Sequence, residues 1–118
     1  GVISKYILGD AMAPWFGGSA SLTADFVNKN HAETKKFVAA YNKGITYVRN
    51  STADARQYLK GYTAIEGALT AEVPMAAYTM YNEFTPKDIG HFQKFFDLFF
   101  EKGIFPSRLM VETMLYKG

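Results

Sequence analysis

The chain of 118 residues has no cysteine. That excludes a disulfide framework, a thiolate metal site and a cysteine nucleophile. Charge of one sign is also missing. Thirteen Lys and Arg stand against 11 Asp and Glu, a net charge of +2. The chain is therefore not a highly charged disordered tail, and its balance does not demand nucleic acid. No run of about 18 apolar residues occurs, so no span of a membrane is expected. The longest uncharged stretch, Ala11 to Ala24, is interrupted by Pro14, Gly17 and Gly18. There is no internal repeat and no low-complexity tract. What the chain does have is rings. Ten Phe, eight Tyr and one Trp make up 16% of it. A domain this small has limited interior, so burying them all is a packing problem.

The apolar spacing reads mostly as short helices. Val2 to Leu8 fits either a helical turn or a strand. Ala11 to Gly18 reads as an irregular connection. Ser19 to Thr23 alternates small polar and apolar residues and is the best strand candidate. Ala24 to Lys29 fits one or two helical turns. Asn30 followed by Glu33 reads as a capping box. The helix it opens carries Phe37, Val38, Tyr41, Ile45 and Val48 on one stripe. Gly44 inside it costs about 1 kcal/mol relative to Ala, so packing or a close neighbour is expected there. Asn50-Ser51-Thr52 breaks that helix. Ser51 with Asp54 reads as a second box, opening a short helix with Ala55, Tyr58, Leu59 and Tyr62 on one face. Thr63 with Glu66 reads as a third, and Pro74 closes its segment. Met75 to Phe84 is apolar without a period and reads as irregular chain that could hold one turn of helix.

Thr85-Pro86-Lys87-Asp88 is the strongest helix start. Thr caps, Pro suits the first helical position and Asp sits in the first turn. This helix should run to about Lys102 and stop at Gly103. Phe92, Phe95, Phe96, Phe99 and Phe100 give it an apolar face too wide for one neighbour. Ser107 is expected to cap a last helix with Met110, Val111, Met114 and Leu115 inside.

Little in the chain resembles catalytic machinery. His31 and His91 have no histidine or glutamate at metal-binding spacing, so no metal site is expected. No set of nucleophile, base and orienting group is visible, so the chain reads as no enzyme and needs no cofactor. Gly17-Gly18-Ser19 is followed by no lysine in phosphate-loop register. Two readings of it stand. Its amides and hydroxyl could cradle a small anion or polar group, with Trp15 and Phe16 as an apolar wall. Or it is a tight connection beside two buried rings. Seven bases and two acids lie between Lys29 and Lys60, a local charge of +5. With no aromatic expected at solvent positions among them, they read as a solvated face and not as a nucleic-acid surface.

One ordered pattern points to a family. Gly17-Gly18-Ser19 runs into a short strand. Asp25-Phe26-Val27 follows, then a helix rich in Lys and Phe, then a break at Asn50-Ser51 and Asp54-Ala55. Phe84-Thr85-Pro86 opens the long helix that ends Phe100-Glu101-Lys102-Gly103-Ile104. This order resembles the C-terminal part of bacterial solute-binding proteins of ABC transporters, in the branch for nitrate, sulfonates, taurine and pyrimidine precursors. The resemblance runs from about Gly17 to Tyr116.

It implies a helical C-terminal segment of a two-lobe α/β fold, with one or two short strands near its N-terminus. Residues 1–18 would be a connection from a lobe largely absent here, and residues 19–118 a single helix-rich domain. It implies a periplasmic or lipoprotein-anchored importer component, working with an ABC permease, that closes on a small polar or anionic solute. Ligand contacts would fall on Trp15, Gly17, Gly18 and Ser19. The usual small apolar residues of that branch give way to aromatics here. The Phe92 to Phe100 face would then pack on a missing sheet or on a second copy of the chain. A helical interaction or dimerisation domain is the alternative reading.

Overall fold

The computed structural model describes residues 16–118. The expectations for Val2 to Leu8, for residues 11–15 and for the role of Trp15 fall outside them. The described chain is mainly helical, with 59% of its residues in helices and no strand. Its elements are α1 (Ala24–Lys29), α2 (His31–Asn50), α3 (Thr52–Ala55), a 3₁₀ turn (Arg56–Leu59), α4 (Leu69–Glu72), a second 3₁₀ turn (Tyr81–Glu83), α5 (Pro86–Glu101) and α6 (Val111–Met114). They fall into two compact units. One joins the described residues up to Ser21 with Tyr81–Gly118; the other is Leu22–Met80.

The strand expected over Ser19 to Thr23 does not form. The segment is exposed and irregular, and Thr23 instead caps α1 by accepting a hydrogen bond from the Phe26 N–H at 3.2 Å. A strand is stable only when another pairs with it, and the described residues offer none. Their single bridge joins Lys60 and Thr63.

In the Leu22–Met80 unit α2 has its expected limits, but its cap differs. Asn30 makes no side-chain capping bond; its amide donates back to the Phe26 carbonyl at 3.1 Å. Of the expected stripe, Ile45 is buried, Val38 and Val48 are half-buried, and Phe37 and Tyr41 remain exposed. The buried line passes through Thr34 as well. Gly44 has open space around it, so no close neighbour explains it. Packing falls away on that side of the helix. Ser51 ends α2, and its expected capping bond to α3 is not made. Thr52 takes over that turn by donating from its hydroxyl to the Val48 carbonyl at 2.9 Å. Ala55 is buried where α3 meets α2. Tyr58 and Tyr62, expected on the inner face, are exposed. Thr63 caps nothing: its hydroxyl donates to the Leu59 carbonyl at 2.6 Å and accepts from the Ile65 N–H.

The other unit is built on α5. Its start is as the sequence reads. Thr85 accepts from the Asp88 N–H at 3.2 Å, and the Asp88 carboxylate accepts from the Thr85 N–H at 2.8 Å. Gly103 adopts φ 71°, a left-handed conformation that a side chain would strain. The Ile104 and Phe105 amides then donate to the Phe99 carbonyl at 2.8 and 3.2 Å. The chain reverses, and Phe105 lands edge-on to Phe96 and Phe99 at 5.4 and 5.3 Å. Phe16 meets Phe84 and Phe92 at 4.9 and 5.6 Å. The wide phenylalanine face is thus partly covered from within its own unit, and Phe100 stays exposed.

The last helix is shorter than expected. Ser107 does not cap it; Met110 precedes its first turn and Val111 is buried at its start. Gln93 holds it in place. Its carbonyl oxygen accepts from the Val111 N–H at 2.9 Å, and its amide donates to the Leu109 carbonyl at 2.8 Å.

Candidate functional site

Gly17, Gly18 and Ser19 lie in exposed, irregular chain, and a methyl group on Gly18 would meet nothing within 4 Å. They line neither of two concavities that the described residues form. Among the described residues no group of three or more acidic or histidine side chains could hold a metal ion. No helix there is long and apolar enough to cross a membrane.

The larger concavity, about 630 Å³ and open to solvent, belongs to the Leu22–Met80 unit. Thr52, Ala53, Arg56, Gln57, Thr70 and Ala71 line it. It forms because the chain doubles back after the 3₁₀ turn. Gly61 and Gly67 take φ 81° and 61°, conformations that glycine reaches without strain, and Leu69–Glu72 returns beside Arg56. Arg56 fastens that return. Its Nη1 donates to the Thr70 carbonyl at 2.9 Å and to the Val73 carbonyl at 2.8 Å. Arg56 is half-buried as a residue. Thr70 donates its hydroxyl to the Gly67 carbonyl at 2.8 Å. The wall is therefore held by hydrogen bonds more than by apolar packing.

The second concavity, about 200 Å³, lies in the other unit among Tyr81, Asn82, Phe84, Ile89 and Glu112. Its lining combines two rings and an aliphatic side chain with the Asn82 amide and the Glu112 carboxylate.

A surface feature corrects an expectation. The basic segment does carry aromatics at solvent positions. Phe37 and Tyr41, four residues apart on α2, stack at 6.2 Å with planes 11° apart, and both are exposed. Tyr47 meets Tyr58 edge-on at 6.4 Å, again exposed. Partial desolvation, with Tyr58 and Asp54 near it, pushes the Tyr47 phenol above its ordinary pKa.

Arg56 and Gln57 were not singled out in the sequence. Arg56 stood as one of seven bases. The available signal was its spacing: Thr52 and Arg56 lie four apart, beside the buried Ala55, so they share an edge of the packed face. No family model, curated protein or solved structure matches the chain.

Proposed function

We propose that the chain is part of the solute-binding component of an ABC importer. It binds a small polar or anionic organic molecule between two lobes of a longer α/β protein. One observation carries the reading: the landmarks from Gly17-Gly18-Ser19, through the break at Asn50-Ser51, to Thr85-Pro86 and Lys102-Gly103 occur in that family's order within one chain. Trp15, Gly17, Gly18 and Ser19 supply an apolar wall and polar donors, and lobe closure traps the solute. The test is a thermal-shift panel on the complete gene product with nitrate, taurine, alkanesulfonates and aminopyrimidines. A solute at about 100 times its Kd adds about 2.7 kcal/mol and raises Tm by several degrees. No shift from any member overturns the reading.

The exposed Phe37–Tyr41 stack favours a second reading, a helical interaction domain with no small-molecule site. It predicts self-association, through this pair or through the Phe92, Phe95, Phe96, Phe99 and Phe100 face. Light scattering that shows a monomer at high concentration overturns it.

A further inference from the structure

We propose that Arg56 anchors a binding site for a small oxyanion on the Leu22–Met80 unit. The ligand class is a carboxylate, sulfonate or phosphate group, free or at the end of a small molecule. The site is separate from Gly17-Gly18-Ser19 and does not rest on the importer reading.

The argument begins with donor arithmetic. A guanidinium has five N–H donors in a rigid planar fork. Both hydrogens of Nη1 are spent on the Thr70 and Val73 carbonyls. Those two bonds fix the plane of the group. The opposite edge, Nε–H with Nη2–H, finds no acceptor among the described residues and makes no ion pair there. That edge is the one that grips planar oxyanions with two parallel bonds. The same protein shows its use: Arg108 turns its Nε and Nη2 to the two oxygens of Asp97, at 2.8 and 3.0 Å. Arg56, a half-buried residue, keeps this edge unspent in the wall of an open concavity.

The surroundings suit an anion. Gln57 lines the same concavity and has an amide donor to offer. Thr52 and Thr70 already give their hydroxyl hydrogens to the Val48 and Gly67 carbonyls, so they shape the wall and donate nothing more. The Leu22–Met80 unit carries seven bases and five acids, a net charge of +2, so its overall field does not oppose an anion. An open site of this kind binds in the millimolar range, on the order of 1–10 mM.

The experiment is a titration of the full 118-residue chain, followed by backbone amide NMR at constant ionic strength. Methanesulfonate, acetate and inorganic phosphate are the probes, and tetramethylammonium is the control cation. Saturable shifts confined to Thr52–Gln57 and Thr70–Ala71, absent with the cation, are expected. The ranking of the three anions names the preferred group. Arg56→Lys should abolish saturation, and Gln57→Ala should weaken it on the order of tenfold. Lys35→Ala, away from the concavity, should leave it unchanged.

Arg56 also fastens the fold, so a second variant guards the test. Gln57→Glu places a carboxylate where the ligand would sit, and it should abolish anion binding in a chain that still melts cooperatively. Non-saturable shifts, shifts spread evenly over the lysines, or binding retained in Gln57→Glu would each overturn the proposal.

Discussion

Arg108 grips Asp97 through both carboxylate oxygens, across eleven residues of chain. The pair joins the segment after α5 back to the helix. Asp97 also accepts from the Gln93 amide at 2.9 Å. The Arg108 bonds, with help from Gln93, hold the Asp97 carboxyl below the usual carboxylate range. The Thr85 N–H and hydroxyl do the same for Asp88 at the start of the helix.

Acid should therefore loosen α5. A carboxylate whose folded pKa is depressed contributes stability that is present above the unfolded value, about 3.9, and is lost as pH falls through the folded one. Unfolding midpoints should be flat above about pH 5 and fall below pH 4. Asp97→Asn should lower the midpoint near pH 7 and flatten that acid slope. A slope unchanged in Asp97→Asn would remove Asp97 from the account.

Gln93 should be the costliest polar residue to lose. Gln93→Leu leaves the Val111 N–H and the Leu109 carbonyl without their partners in a part-buried place. The expected cost is about 2–3 kcal/mol. Urea denaturation measures it; a loss under about 0.5 kcal/mol would mean that water replaces the amide.

Gly44→Ala should stabilise. The glycine lies inside α2, its φ is not left-handed, and nothing stands within 4 Å of the added methyl. Helix propensity predicts a gain of about 1 kcal/mol. A destabilised variant would show that something covers that face in solution.

Thr34→Val should also stabilise. The Thr34 hydroxyl is buried and has no hydrogen-bond partner among the described residues. Valine keeps the shape and removes the stranded polar group, for a gain of about 1 kcal/mol. A loss of similar size would reveal an ordered water on the hydroxyl.

The sequence was most legible where structure is local. The limits of α2 and α5, the Thr85–Asp88 box and the Gly103 stop all follow from neighbours within five residues. Of the other three capping boxes, two did not form because the Asn or Thr had a second local option, and at the third the neighbouring Thr52 hydroxyl bonds back to Val48 while Ser51 makes no capping bond. Asn30 bonded back to Phe26, and Thr63 bonded Leu59 and Ile65. Burial was harder to read. Periodicity puts Phe37 and Tyr41 on the same stripe as Ile45, but only tertiary contact decides which end of a stripe is covered. The Arg56 bonds span 14 and 17 residues and the Gln93–Val111 bond spans 18, beyond what spacing encodes.

The reversal at Gly103 has a kinetic consequence. It brings Phe105 onto Phe96 and Phe99, and Val111 onto Gln93, within loops of six to 18 residues. Closing loops that short takes tens to hundreds of nanoseconds, and contacts so near in sequence favour fast folding. The helix and its returning arm can therefore assemble as an early hairpin before distant segments meet. Pulsed hydrogen exchange should find amides of α5 and Val111 protected first. Gly103→Val, which strains the turn, should slow that phase more than it speeds unfolding.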